Sequence, residues 1–214
     1  MGKQFGGVFA NWNGKVGNVV GRVRQGRTVL SIYQPNVANP QTDAQMNQRK
    51  KFSLVTEFMR MCSAFIKTTF HDLDGYKTGN PFSAAIGYAL KREIFDETGG
   101  VISLDYSKIP VSQGSCVLPY SPSASAEGQN VVVTWSDNSG LGGANADDEV
   151  LILVANDTKK QAVWQMGTAD RADRNATLAC PTAWSGDTAH VYLAMRNPKT
   201  GDCSASSYLS AVIF

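Results

Sequence analysis

The sequence predicts an α+β protein in which an N-terminal β-hairpin and a helix pair precede an immunoglobulin-like β-sandwich. Residues 14–33 are rich in glycine and valine, as two short strands joined by a turn would be. Residues 42–70 and 80–98 carry apolar side chains at three- and four-residue spacing, which is typical of amphipathic helices. From residue 101 onward, short strand-like runs alternate with polar turns. We therefore predict two domains, residues 1–100 and 101–214.

The hairpin consists of two β-rich runs, Lys15–Arg24 and Arg27–Tyr33, with a tight turn at Gln25-Gly26. Glycine favours such a turn because it accepts positive φ without a Cβ clash. The second run ends with apolar residues on both faces, which indicates a strand covered on both sides. A lone hairpin is marginally stable in water, so we expect this one to pack on the following helices or on another chain.

Three arginines, Arg22, Arg24 and Arg27, surround the predicted turn. Guanidinium groups form paired hydrogen bonds with phosphate and carboxylate, so this cluster is a candidate site for assembly or for an anionic partner. A solvated hairpin end is the alternative interpretation. The preceding segment, residues 1–13, is interpreted as an arm anchored by aromatic residues rather than as a disordered tail. These candidate anchors are Phe5, Phe9 and Trp12.

Two prolines in residues 34–41 predict a linker, because proline prevents helix formation. A helix is then predicted from Thr42 to about Phe70. Its apolar stripe consists of Phe52, Val55, Met59, Cys62, Phe65 and Ile66. A basic triplet near its start is a candidate phosphate-binding site, with a solvated helix face as the alternative. This triplet is Arg49, Lys50 and Lys51.

A second helix is predicted to begin at Asn80-Pro81, where a capping residue precedes proline at the first helical position. Gly99-Gly100 is the predicted end of this helix, with Phe95 on its apolar face. The strands of the sandwich are predicted at Val101–Tyr106, Ser115–Leu118, Asn130–Ser136, Val150–Ala155, Gln161–Met166, Ala176–Cys180, Ala189–Arg196 and Tyr208–Phe214.

The N-terminal sequence resembles an uncharacterised family found in Bacteroidota and their phages. The resemblance is carried by Gly14-Lys15-Val16-Gly17-Asn18, by Asn39-Pro40-Gln41-Thr42 and by Gln48-Arg49-Lys50-Lys51-Phe52. It covers about the first hundred residues well and the remainder loosely. The C-terminal half resembles an immunoglobulin or fibronectin type III sandwich, with Trp135 in a Val-x-Trp run and Tyr192 in a later strand. Neither resemblance implies a catalytic residue.

The charge is uneven along the chain, although the net charge is only +2. Residues 1–60 hold nine Lys or Arg and two acids, whereas the remainder holds eleven and sixteen. Such asymmetry is typical of a basic end that meets an acidic surface or a nucleic acid. It also permits head-to-tail contact between copies of the chain.

The sequence contains no motif that predicts catalysis, a cofactor or a metal site. The four cysteines have no CxxC spacing, so structural zinc is not expected; Cys180 and Cys203 are at positions that could pair across a sandwich. We expect Asp147–Glu149 to form a solvated turn rather than a calcium site. The charged residues in 170–174 are expected to form a surface network, and His190 is expected to be a partly buried sandwich residue.

These observations predict a non-enzymatic structural protein, specifically a phage virion component such as a ring, adaptor or decoration protein. Its partners would be further copies of itself or other virion proteins, and its location the virion or the cytoplasm before assembly. No stretch approaches the length of a membrane span. The alternatives are a nucleic-acid-binding protein that uses the basic N-terminal segment, and a surface or carbohydrate-binding module.

Overall fold

The computed structural model describes residues 2–4, 11–24, 26–70 and 80–214. Contacts between residues divide the chain into two compact units, Met1–Thr42 and Asp43–Phe214. The predicted domain boundary at residues 100 and 101 instead falls inside the second unit. The reason is that the helices share a hydrophobic core with the sandwich.

The first unit is a four-stranded antiparallel sheet. Its strands are β1 (Gly2–Gln4), β2 (Gly14–Val16), β3 (Val19–Arg24) and β4 (Arg27–Ile32), in the order β1-β4-β3-β2. The predicted strand over Lys15–Arg24 is therefore two strands. Gly17, at φ +58°, and Asn18 form a turn between them.

Three helices begin the second unit: α1 (Asp43–Met61), α2 (Ser63–Thr69) and α3 (Pro81–Leu90). Cys62 interrupts the predicted long helix, with φ −109° and ψ 27°. The predicted start of α3 is confirmed, because the Asn80 side chain accepts a 3.0 Å hydrogen bond from the backbone N–H of Phe82. The predicted end at Gly99-Gly100 is wrong. After Leu90 the chain enters a short hairpin of β5 (Phe95–Asp96) and β6 (Ser103–Leu104).

The rest of the second unit is a seven-stranded β-sandwich. Its strands are β7 (Tyr120–Glu127), β8 (Asn130–Ser136), β9 (Glu149–Asn156), β10 (Gln161–Asp170), β11 (Asn175–Ala179), β12 (Thr188–Arg196) and β13 (Ser207–Ile213). One sheet has the order β11-β8-β7 and the other the order β10-β9-β12-β13. An antiparallel three-stranded sheet and an antiparallel four-stranded sheet together form an immunoglobulin-like sandwich, as the sequence predicts.

Strand β9 is buried on both faces, since its alternate residues belong to two different cores. Val150, Ile152 and Val154 pack between the two sheets with residues such as Trp135. Their neighbours Leu151, Leu153 and Ala155 pack on the other side against the helices. Because β9 has no solvated face, its sequence is a continuous apolar run. The helices thus cover the outer face of the four-stranded sheet.

Three strand predictions differ from the structure. Strand β7 was not predicted, because its alternating Ser and Ala residues and Pro122 do not form a strongly apolar pattern. Ser115–Leu118 contributes only a bridge between Cys116 and Ser204, and Val101–Tyr106 contributes only β6. Within the described residues, no helix has both the length and the hydropathy needed to span a membrane.

Candidate interaction surface of the N-terminal sheet

The register of the N-terminal sheet separates basic from apolar side chains. Residues directly opposite one another in an antiparallel pair share a face, and alternate residues along a strand share a face. Lys15 is opposite Val20, and Arg24 is opposite Arg27. Lys15, Arg22, Arg24 and Arg27 therefore lie on one side of the sheet, which we call the basic face.

The basic face is open to solvent. Arg22, Arg24 and Arg27 are all exposed. Lys15 is held at the other end of this face, where its Nζ lies 3.4 Å from the centroid of the Tyr33 ring as a cation–π pair. Because residues 1–42 contain five Lys or Arg and no Asp or Glu, the sequence of this unit supplies no carboxylate to balance these cations.

The opposite side carries exposed aliphatic side chains. Val16 is opposite Val19, which is opposite Ile32, so these three residues form one row across β2, β3 and β4. Their exposures are 64%, 37% and 73%, and Val23 on the same side is 42% exposed. We call Val16, Val19, Val23 and Ile32 the apolar face. The expectation of a strand covered on both sides is wrong at the end of β4, because Ile32 is exposed to solvent.

Trp12, one of the candidate anchors, lies against Gly21 of β3. A Cβ at Gly21 would lie 2.8 Å from the Trp12 carbonyl oxygen and 2.9 Å from Trp12 Cε3, so the absence of a side chain at Gly21 permits this contact. The neighbouring Asn11 N–H donates a 2.9 Å hydrogen bond to Thr28 Oγ1. Trp12 thus packs on the centre of the sheet, on the side of the apolar face. Phe5 and Phe9 lie outside the described residues.

The basic triplet of α1 does not form a single cluster. Lys51 forms an ion pair with Glu97, and its Nζ is 5.2 Å from the centroid of the Phe95 ring. Arg49 instead lines a groove of about 780 Å³ along α1, together with the exposed Phe52. Lys50 is exposed between them. Consecutive helical residues point in different directions, so the triplet does not present one phosphate-binding surface.

Arg171 and Asp148 form a buried ion pair that the sequence did not indicate. Both side chains are fully buried, and Arg171 Nη2 lies 2.8 Å from Asp148 Oδ2. Arg171 also donates hydrogen bonds of 2.6 Å to Asn138 Oδ1 and to the Val117 carbonyl oxygen. The predictions of a solvated turn at Asp147–Glu149 and a surface network in 170–174 are wrong for these two residues. The pair joins three segments at one end of the sandwich: the segment before β7, the loop between β8 and β9, and the loop between β10 and β11.

His190 belongs to an aromatic cluster on the outer face of the four-stranded sheet, and its predicted partial burial is confirmed. Its ring stacks on Tyr106, with centroids 4.0 Å apart and 13° between the planes, and its Nδ1 is 3.1 Å from the Tyr208 hydroxyl. Burial lowers the pKa of His190 below its ordinary value, although the carboxylate of Asp157 opposes this shift. The cluster has a packing role in joining Tyr106 to the sheet.

Cys180 and Cys203 are not joined by a disulfide. Cys180 belongs to the core between the sheets and Cys203 to the core beneath the helices, so they are on opposite sides of a sheet. Burial raises the pKa of Cys62 to about 12 and that of Cys180 to about 11. In the part of the chain that the structure describes, no three His, Cys, Asp or Glu residues form a group that could hold a metal ion.

The fold and its candidate surface define a class of protein: an immunoglobulin-like sandwich with a helical layer on one sheet and a separate N-terminal sheet. The chain belongs to a family of unknown function, DUF6266, which matches residues 10–210. The match includes strands β2, β3 and β4, which carry the apolar face and the basic face.

A comparison with curated proteins finds none that matches the chain. Among solved structures, the chain is similar to the fn3 domain of the human collagen alpha-1(XX) chain, a solution structure. The identity is 20% and the TM-score 0.30, and the match covers 48% of this chain and 86% of that domain. The fold assignment rests on the strand order described above.

Proposed function

We propose that this protein is a non-enzymatic assembly protein whose apolar face contacts a neighbouring copy of the chain. The observation that carries this proposal is the exposed aliphatic row of Val16, Val19 and Ile32. Exposed contiguous apolar surface is a mark of protein–protein contact sites. Among the described strands, β2 is at an edge of the sheet, and an edge strand readily pairs with a second chain.

The apolar and basic sides of the sheet have different consequences for assembly. A contact between two copies through their apolar faces leaves the basic faces on the outside, where the like charges are kept apart. Burial of aliphatic side chains drives such a contact, so it is expected to persist at high salt. A contact made by the arginines would instead weaken as salt screens the charges.

The test is the oligomeric state of the full chain, measured by size-exclusion chromatography with light scattering. The triple variant Val16→Thr, Val19→Thr, Ile32→Thr keeps β-branched residues in the strands but makes the row polar. Its matched control changes three other exposed aliphatic residues, Val37→Thr, Val101→Thr and Ile213→Thr. We expect the wild type and the control to be oligomeric and the triple variant to be monomeric. A monomeric wild type, or an oligomeric triple variant, would contradict the proposal.

We further propose that the assembly is part of a phage virion, as a ring, adaptor or decoration protein. The immunoglobulin-like sandwich supports this setting as a common adhesive module, and so does the resemblance of the N-terminal motifs to a family found in phages. Mass spectrometry of purified particles tests it. The protein should be present in intact virions in a fixed ratio to the major capsid protein, and its absence from them would exclude the setting.

A further inference from the structure

On the basic face, positively charged side chains lie directly opposite one another. The sequence of the same unit contains no acidic residue. Arg24 and Arg27 are directly opposite each other across β3 and β4. Like charges at opposed positions destabilise a strand pair. Because residues 1–42 contain no Asp or Glu, this repulsion is not balanced by a carboxylate of the same unit. A bound polyanion would bring negative charge to this pair.

The cations are arranged in a line along the sheet. Alternate residues on a strand are roughly 6.7 Å apart, and neighbouring strands about 4.8 Å apart. The line therefore runs from the Arg24–Arg27 pair to Arg22 and then to Lys15 on the next strand. Such a row follows the repeated phosphates of a nucleic-acid strand, as in grooves that track a backbone. A single small anion would instead require donors that converge on one point.

The residues between the cations do not favour recognition of bases. Val20, Val29 and Ser31 lie on the basic face, in β3 and β4, and are half-buried. Tyr33 follows β4, and Lys15 Nζ occupies its ring at 3.4 Å, so this ring is not free to stack on a base. Guanidinium groups bind phosphate oxygens through paired hydrogen bonds. The chemistry of this surface is that of backbone contact.

We propose that the basic face binds the sugar–phosphate backbone of a nucleic-acid strand without reading its sequence. This goes beyond assembly, because the apolar face is on the other side of the same sheet. The two surfaces can therefore be occupied at once. An assembly formed through apolar faces would display several basic faces, and several backbone contacts on one strand increase the overall affinity.

The test is fluorescence anisotropy of the full chain with a labelled thymidine oligonucleotide of about 20 nucleotides. For a single strand, each phosphate contact lowers the logarithm of the binding constant by about 0.7 for every tenfold increase in salt. Four contacts therefore predict a loss in affinity of roughly 50-fold between about 50 and 200 mM salt. The variant Arg22→Gln, Arg24→Gln, Arg27→Gln should bind at least about tenfold more weakly at low salt, since it loses three of the four contacts. The control Lys50→Gln, Arg60→Gln, Lys67→Gln removes the same charge from exposed positions in α1 and α2 and should bind as the wild type does.

Further arms of the experiment separate charge, fold and partner. The variant Arg22→Lys, Arg24→Lys, Arg27→Lys should retain most of the binding, because Lys also contacts phosphate. A mixed-sequence strand should bind as the thymidine strand does. The proposal would be overturned if the Gln variant and its control lost the same affinity, or if binding did not depend on salt. It would also be overturned if polyglutamate competed as strongly as the oligonucleotide does. The variant Val16→Thr, Val19→Thr, Ile32→Thr should still bind a short strand, so failure of assembly and failure of this inference are distinguishable.

Discussion

At the scale of single residues, the buried pair of Arg171 and Asp148 has the largest expected effect on stability. Two charges removed from water are tolerated only when their hydrogen bonds are satisfied. Arg171 meets this condition through Asp148, Asn138 and the Val117 carbonyl oxygen. Its own carbonyl oxygen accepts a 2.8 Å hydrogen bond from Trp135 Nε1, which connects the pair to the sandwich core.

Asp148→Asn should lower the free energy of unfolding by about 3–5 kcal/mol, since it leaves the guanidinium of Arg171 buried without its counter-charge. Urea unfolding followed by tryptophan fluorescence measures this change. The matched control is Asp147→Asn, because Asp147 is the exposed neighbour that pairs with Lys199. We expect the control to unfold at the same urea concentration as the wild type. Equal shifts in the two variants would show that the burial of the pair is not important.

His190 should make stability depend on pH. Its pKa is lowered in the folded state, so the unfolded chain, which titrates near 6.5, binds the proton more readily. The contribution of the neutral ring is fully present above about pH 6.5 and is lost as the pH falls below that value. The melting temperature should therefore fall more steeply below pH 6.5 in the wild type than in His190→Asn. His71→Gln serves as the control. If the melting temperature of His190→Asn fell with pH as steeply as that of the wild type, the prediction would be contradicted.

At the scale of elements, the segment before β7 is attached to the turn between β12 and β13. The backbone N–H of Val111 donates to Ser206 Oγ, and Ser112 Oγ donates to the Ser204 carbonyl oxygen. Just after these contacts, a Cβ at Gly114 would lie only 2.1 Å from the Cys203 carbonyl oxygen. The two segments approach each other so closely that only glycine fits at this position.

Gly114→Ala should destabilise the second unit by about 1–3 kcal/mol, the range for atoms forced into a packed site. The urea concentration at the midpoint of unfolding measures this change. Hydrogen exchange at the Cys116 amide measures it locally, because this amide donates a 3.0 Å hydrogen bond to the Cys203 carbonyl oxygen. Ser115→Ala changes the exposed neighbour and is expected to leave both unchanged. Unaltered exchange at Cys116 in Gly114→Ala would disprove the close approach.

The sequence predicted elements with strong apolar patterns and missed features that depend on pairing. Asn130–Ser136 alternates clearly, and β8 has these bounds. The predicted single strand over Lys15–Arg24 would place Lys15 and Arg22 on opposite faces. The turn at Gly17-Asn18 reverses the chain and brings Lys15 opposite Val20, on the same face as Arg22. The partner of Arg171 is Asp148, 23 residues away, so no local pattern revealed the buried pair.

At the scale of the whole molecule, the two units have opposite charge. Residues 1–42 hold five basic residues and no acid, and residues 43–214 hold fifteen basic and eighteen acidic residues. Residues 34–42 join the units, are exposed throughout and contain no helix or strand. Each unit thus has its own hydrogen-bonded sheets and its own charge.

Limited proteolysis with a protease of broad specificity should cut first within residues 34–42, because exposed segments without regular structure are preferred sites. The expected product, residues 43–214, retains both hydrophobic cores and should melt at the temperature of the second unit in the full chain. Mass spectrometry of the fragments identifies the first cut. An initial cut in residues 97–110 would instead support a boundary between the helices and the sandwich.

The segment of residues 34–42 is also a tether of limited reach. Nine residues span at most about 30 Å when fully extended, and Pro35 and Pro40 restrict how far the chain can fold back. A partner bound to the sheet, as proposed above, would be tethered to the sandwich of the same copy by this segment. Short tethers of this kind give effective concentrations in the millimolar range. A contact of the sandwich that is too weak to form alone would then form whenever the sheet is bound.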